Sequence, residues 1–591
     1  MNKQPLQYTV TPADPAGHYF DLVLKISEPN RDGQVLGLPA WIPGSYMLRD
    51  FARHIIRLQA YCGKDGVEIA TEKISNHEWQ CAPCNGPLTI KYRVYAWDLS
   101  VRGAHFDESH AFFNGTSVFL LPLGYEQHPC LVQLNPPPHT NDWKVYTSLP
   151  EAQSREGAAK RHGFGLYEAP NYDALIDHPV EMGNPEVVSF EAFGAEHEMV
   201  FTGVLPNIDY ERLIADTKKI CEAQIALFEP DSHEVPFLDS ADRYVFLTMV
   251  TGNDYGGLEH RSSTALMIGR HALPVIGQEP GNDYHDFLGL ISHEYFHTWN
   301  VKRIKPAVFA PYQLFNENHT RLLWVFEGFT SYYDELMLWR SGAISEQTYL
   351  KRQAKVITNV WRGPGRHLQS VADSSFSTWT GLYMSNENSP NALVNYYTKG
   401  ALIGLALDLY LRQESNNTYS LDDVMRLMWT RYGKTFYRGA QNQGVAEDEM
   451  PRLIREATQV DAAPFIERYV YGCDDLPLAD LFKSQNIRLH WKASQKTPSM
   501  DVRTQADAEG LRLATVYNGG VAHQAGLSGG DRLVAINGLR VHDQQTFERA
   551  LLTCRPEQKM PVHVFRRDEL REFKVKLAPP ATECHLDKIK N

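Results

Sequence analysis

Residues 285–306, HDFLGLISHEYFHTWNVKRIKP, form an apolar stretch in which two histidines and a glutamate stand where a core helix would place leucines. Phe287, Leu288, Leu290, Ile291, Phe296 and Trp299 make the segment apolar around most of its circumference, which predicts a buried helix. Buried polar groups require partners. His293 and His297 are four residues apart, so both imidazoles lie on one helical face and can converge on a single ion. Zinc accepts such nitrogens at about 2.0–2.1 Å and, with three protein ligands, keeps a position for water. Glu294, inside HEYFH, then lies beside that water as its general base. A chain with 23 histidines can produce the bare spacing by accident, so the apolar context is what gives the pattern meaning.

A site of this kind needs a third protein ligand. In RLLWVFEGFTSYYDELMLW (321–339), Glu327 stands among Leu322, Leu323, Trp324, Val325, Phe326 and Phe329 at helical density of apolar residues. A carboxylate buried there is costly unless a metal cation or an arginine pairs with it, and the metal is the reading adopted here. Thirty residues separate it from His297, enough for one loop and a returning helix.

HEYFHTWNVKRIKP followed by WVFEGFTSYY resembles the M61 peptidases, the glycyl aminopeptidase group, which belongs with the gluzincins. WIPGSYMLRDFARHI (41–55) and HAFFNGTSVF (110–119) are similar to that family's N-terminal domain, so the resemblance spans nearly the whole chain. It implies one Zn2+ per chain on His293, His297 and Glu327, within a thermolysin-like catalytic domain. NYYTKGALIGLAL (395–407) resembles the YxKG segment of the related M1 aminopeptidases, which gives Tyr397, or failing that Tyr396, the task of stabilising the oxyanion. NDYGGLEHRSSTALMI (253–268) resembles their GxMEN segment: Glu259 would meet the substrate amine, while Gly256 and Gly257 let the peptide backbone come close. Leu258 and His260 depart from that pattern, standing where it has methionine and asparagine. The expected reaction is removal of a small N-terminal residue, glycine or alanine, from peptides with a free N-terminus.

The C-terminal GLRLATVYNGGVAHQAGLSGGDRLVAINGLRV (510–541) alternates strand-like runs with glycine turns and resembles a PDZ domain, most specifically over Ala525–Gly538. Such a fold takes an extended peptide onto a sheet edge and its terminal carboxylate onto backbone amides. Gly510, Leu511, Arg512 and Leu513 are the expected carboxylate loop, and peptide C-termini the expected partners. The module would either capture substrate or buttress the catalytic unit.

At 591 residues, with 43% hydrophobic and 22% charged residues, the chain is a folded multidomain protein. Period-two alternation in HYFDLVLKI and LTIKYRVYAWD predicts an N-terminal antiparallel β domain, sandwich-like, over residues 1–170. Helices interleaved with strands from Asn171, and dominant from 283 to 471, predict a mostly helical catalytic domain over 171–490. A PDZ-like β domain follows over 495–580, so the fold class is multidomain α+β.

A net charge of −13 argues against nucleic acid as partner. The most apolar run, ALIGLALDLYL from Ala401, is broken by Asp408 and too short for membrane insertion. The N-terminus shows no secretory signal, and eight scattered cysteines suit a reducing compartment, so a cytoplasmic location is expected. Cys81 and Cys84 read as surface thiols in a turn. Two other readings compete with the aminopeptidase: a catalytically silent peptide-binding scaffold acting through the PDZ domain, which the intact set of His293, Glu294, His297 and Glu327 disfavours, and a zinc endopeptidase, which GGLEH disfavours.

Overall fold

The computed structural model describes residues 3–138, 140, 142–439 and 443–589. The chain divides into two compact units, one of Met1–Asn318, Tyr333–Ala343 and Met428–Ala446, the other of His319–Tyr332, Ile344–Leu427 and Glu447–Asn591.

The first unit opens with a seven-stranded sheet whose central strands include Leu6–Asp14, Tyr19–Ile26 and Leu88–Tyr95. Phe20, Leu22, Leu24 and Ile26 are buried, as are Leu88, Ile90, Tyr92 and Val94, while the residues between them are more exposed. The alternation in the sequence is thus the alternation of a sheet with one face in the core. Pairing is antiparallel except between Leu6–Val10 and Cys130–Leu134, which run parallel. A four-stranded sheet joins Ala104–Phe106, His110–Phe113, Val180–Gly183 and Lys144–Tyr146, so β structure continues past residue 170.

The cysteines overturn one expectation. Cys81 and Cys84 are buried rather than on the surface, and Cys84 forms a disulfide with Cys62, at the end of the strand Ile55–Cys62. The spacing of the cysteines hid this because the partners are 22 residues apart and meet only where Ile55–Cys62 pairs with Leu88–Tyr95 in the sheet. Unpaired thiols therefore no longer support a reducing compartment. Among the described residues, no helix is long and apolar enough to cross a membrane.

A five-stranded sheet follows, in the order Glu186–Ala192, Ala195–Thr202, Arg243–Thr251, Ser263–Gly269, Tyr255–Glu259. Its last strand is an antiparallel edge, GGLE, with one side left for a further strand. The helix Asn282–Phe296 carries His293 and Glu294. It stops earlier than the apolar run suggests, because Arg303 Nη1 takes the Thr298 carbonyl (2.8 Å) and His297 Nδ1 takes the Asn300 carbonyl (2.7 Å), satisfying groups that another helical turn would have used.

In the second unit, Trp324–Phe329 is a π-helical turn and Thr398–Glu414 a buried helix. They meet glycine to glycine: a Cβ on Gly328 would fall 2.7 Å from Gly400 Cα. The C-terminal module has its own core, including Leu511, Leu513, Leu533, Ile536, Val562, Val564 and Val575. Its sheet runs Val502–Asp507, Gly510–Val516, Arg532–Ile536, Lys559–Arg566, Glu569–Lys576, and the helix Gln544–Leu552 packs on the first and third of these. A methyl group at the glycine contact must push the two helices apart, so Gly328→Ala is expected to lower the melting temperature, at a cost of about 1–3 kcal/mol, as read by differential scanning calorimetry.

Candidate metal centre

The HEYFH helix presents His293 and His297 with their ring planes nearly perpendicular, at 87°, and their centroids 4.6 Å apart. Each Nδ1 is engaged away from the other ring, His293 with Asp334 Oδ2 at 3.0 Å and His297 with the Asn300 carbonyl at 2.7 Å. Both acceptors require an Nδ1–H donor, which places a lone pair on each Nε2. The two Nε2 atoms lie 3.1 Å apart. Two lone pairs at that distance repel unless a cation lies between them. The separation is also close to the ~3.3 Å between neighbouring ligands of a tetrahedral ion with bonds of about 2.05 Å.

Glu327 is 2% exposed and sits on the π-turn that continues into the helix Thr330–Arg340, the helix that carries Asp334 seven residues on. Glu327 is the carboxylate that the sequence leads one to expect beside the two imidazoles. A π-turn widens the helix locally and is common where a side chain must be aimed at a site. Here Thr330 Oγ1 donates to the Phe326 carbonyl (2.7 Å) and Ser375 Oγ accepts from Trp324 N–H (3.1 Å), holding the irregular backbone. Two imidazoles and a carboxylate form the donor set of a catalytic zinc ion and fit one.

Glu294 and Glu259 are both buried, and their carboxylates and a nitrogen of His297 lie within 4.8 Å of one another. The GGLE strand makes this possible: a Cβ on Gly257 would fall 2.0 Å from Glu294 Oε1. Gly257, expected to let a peptide backbone come close, leaves the room that the Glu294 carboxylate fills. Gly256 faces Arg102, whose Nη1 is 3.9 Å from where its Cβ would be. Gly44, in WIPGSY with φ +96°, does for Glu259 what Gly257 does for Glu294, since its Cβ would fall 2.4 Å from Glu259 Oε2. Glu259 Oε1 is buried and has no hydrogen-bond partner among the described residues.

The segment after Glu259 and the segment after His297 are tied by a buried ionic network. Arg303 donates to the Arg261 and Thr298 carbonyls (3.0 and 2.8 Å) and bidentately to Asp239 (2.8 and 2.5 Å). Lys302 pairs with Asp177 at 2.8 Å, and Asp177 also receives His260 and Arg261. Burial pushes the Lys305 ammonium down to about 7, and the ring of Tyr312 lies 4.5 Å from its Nζ. These residues, with Asp334 and Gly44, escaped sequence reasoning. The charges of VKRIKP, set in an otherwise apolar segment, were the available signal.

Tyr397 begins the helix Thr398–Glu414, half-buried, with its hydroxyl 3.1 Å from that of Tyr383. Tyr396 is fully buried and its hydroxyl meets Thr378 Oγ1 at 2.8 Å, which places it in the core; burial raises its pKa. In the C-terminal module, Gly510, Leu511, Arg512 and Leu513 are not a loop. They lie in an inner strand, paired with Thr504–Asp507 on one side, and Arg512 with Arg532 on the other. Glycine-rich turns flank this strand in the sequence, which is why it read as a loop. The edge strand is Val502–Asp507, next to the helix Gln544–Leu552, with Thr504 Oγ1 2.7 Å from Gln544 Oε1.

Because Asp334 fixes the tautomer and angle of His293, Asp334→Ala is expected to weaken divalent-metal affinity about 10–100-fold, measured by competition with a chromophoric chelator.

Three family models match the chain: Peptidase M61 N-terminal domain over residues 7–184, M61 glycyl aminopeptidase over 286–403, and PDZ domain over 498–577. The crystal structure of an aminopeptidase N family protein from Idiomarina loihiensis is 40% identical, with a TM-score of 0.92, over 99% of this chain and 98% of that one. An M1 zinc metallopeptidase from Deinococcus radiodurans is 13% identical with a TM-score of 0.48, over 81% of this chain and 95% of that one. No curated protein matches the sequence. With two M61 models in order along its length and a relative matched end to end, the chain belongs to the M61 peptidase family and is a metallopeptidase.

Proposed function

We propose that the protein is a zinc aminopeptidase that removes a small N-terminal residue from peptides. Its M61 membership supports peptide hydrolysis, and the glycyl aminopeptidase model supports glycine or alanine as the residue removed. The observation that carries the exopeptidase reading is Glu259: a buried carboxylate whose Oε1 has no partner among the described residues, held within 4.8 Å of Glu294 and His297. Such a group calls for a cation. In a peptide with a free amino terminus the ammonium nitrogen is about 2.5 Å from the first carbonyl carbon, by ordinary bond lengths and angles, so an amine on Glu259 leaves that carbonyl beside Glu294.

His293, His297 and Glu327 would hold the zinc ion, which when bound supplies Lewis acidity to a carbonyl and lowers the pKa of water. Glu294, next to His297, takes the proton of the attacking water and returns it to the leaving amine. The Tyr397 hydroxyl donates a hydrogen bond to the carbonyl oxygen as its charge develops. The GGLE edge strand offers backbone groups to an extended peptide, and Glu259 sets the register at one residue. In the C-terminal module the open side of Val502–Asp507 is the place for a second extended segment, the C-terminal end of a peptide.

Glu294→Gln is expected to keep stoichiometric zinc and lose turnover by several orders of magnitude; a variant that still turns over excludes Glu294 as the base. Gly257→Ala, whose methyl group must displace the Glu294 carboxylate, should likewise keep zinc and lose kcat rather than raise KM. Glu259→Ala should raise KM for unblocked glycyl and alanyl substrates, and the native enzyme should leave acetylated peptides intact. Equal cleavage of blocked and free peptides would instead mark an endopeptidase.

A further inference from the structure

We propose that the N-terminal β domain carries a second divalent transition-metal site, formed by His105, Asp107 and His110, with Glu181 orienting His110. The site shares no residue with the HEYFH centre, and no catalytic role is needed to account for it.

The hairpin Ala104–Phe106 / His110–Phe113 sets the geometry. His105 on one strand and Glu181 on the neighbouring strand Val180–Gly183 are both directly opposite Phe112, and His110 is two residues from Phe112 on its own strand. Opposite residues, and residues two apart, share a face of a sheet. His105, His110 and Glu181 thus lie on one face, 4%, 7% and 2% exposed. Asp107 closes the hairpin turn. Its Oδ1 accepts Ser109 N–H (2.7 Å), Ser109 O–H (2.6 Å) and His110 N–H (3.1 Å), which turns Oδ2 toward His105 Nε2. One ligand atom from each of His105, Asp107 and His110 lies within 4.8 Å of the other two.

Two features favour a cation over a pair of histidine–carboxylate hydrogen bonds. His110 Nδ1 faces Glu181 Oε1 at 3.1 Å, and Thr202 Oγ1 donates to the same oxygen at 2.9 Å, so Glu181 is a fixed acceptor and the lone pair of His110 is on Nε2. This is the carboxylate–histidine arrangement that orients metal ligands, and His293 with Asp334 repeats it. Second, His105 Nε2 and Asp107 Oδ2 are 3.2 Å apart. That is longer than the ~2.7–2.9 Å of a charge-assisted hydrogen bond and close to the ~3.3 Å between ligands of a tetrahedral ion.

Two imidazoles and one carboxylate select zinc, cobalt or nickel over calcium and magnesium, which take oxygen donors. The Asp107 side chain, 20% exposed, gives the ion a way in from solvent. Trp97 stacks on His105 at 4.8 Å between centroids and covers the other side. A bound ion would pin the hairpin turn to both strands beside it.

The test is metal stoichiometry on the full-length protein, equilibrated with zinc, freed of unbound ion and measured by inductively coupled plasma mass spectrometry. The expected values are two per chain for the native protein and one for each of H293A/H297A, H105A/H110A and D107N. D107N keeps the hairpin's size, and circular dichroism confirms its fold should the double variant aggregate. In the H293A/H297A background, cobalt(II) should give a ligand-field absorption band and zinc should raise the melting temperature, and adding D107N should abolish both. A native stoichiometry of one that H293A/H297A reduces to zero overturns this site and leaves the peptidase reading standing. Unchanged stoichiometry in both H105A/H110A and D107N also overturns it. One ion retained in H293A/H297A and lost on adding D107N supports it, whatever becomes of the other centre.

Discussion

Two imidazole lone pairs held 3.1 Å apart are the constraint around which the catalytic part of this chain is arranged. Asp334 and the Asn300 carbonyl force the arrangement by engaging both Nδ1 atoms, so neither ring can turn its N–H toward the other. The helix supplies the spacing and the partners supply the tautomer. A cation between the two nitrogens removes the repulsion of their lone pairs, and Glu327, buried on its π-turn, is the carboxylate proposed to complete the donor set. Glu294 and Glu259 bring two carboxylates close to His297, a crowding that the proposed metal ion and substrate ammonium would relieve.

That geometry depends on backbone held from behind. Arg303, fully buried, bonds to the carbonyls of Arg261 and Thr298 and to both oxygens of Asp239, so the strand that delivers Glu259 and the turn that ends the HEYFH helix share one anchor. Removing one partner from a buried pair of this kind typically costs about 3–5 kcal/mol. In the proposed exopeptidase, the same anchor would fix the distance between Glu259 and the paired imidazoles. Gly257 and Gly44 complete it by absence: either side chain would occupy the space of a carboxylate.

Much of this was legible in the sequence, for identifiable reasons. The period-two runs of the N-terminal domain and the apolar density around His293 and Glu327 are local signals, and local patterning survives into the fold. What was not legible depends on pairs distant in sequence. Asp334 comes 41 residues after His293 and carries no mark that separates it from any helical aspartate. The Cys62–Cys84 disulfide depends on the pairing of two strands that are not consecutive in the chain. Gly257 is legible as a place where a side chain is missing, but its closeness to Glu294 is not, because a glycine reports that something is close and not what it is. In the C-terminal module the flanking glycine turns drew attention to Gly510–Leu513, whereas the open edge belongs to the strand before it, whose sequence VRTQAD is unremarkable.

The most direct test of the central claim is an anomalous difference map from crystals of the zinc-loaded protein, with data on both sides of the zinc absorption edge. The expected result is a peak that vanishes below the edge, with His293 Nε2, His297 Nε2 and a Glu327 oxygen each at about 2.0–2.2 Å from it. Absence of a peak there, or a peak bound by the histidines with Glu327 turned away to another partner, would contradict it.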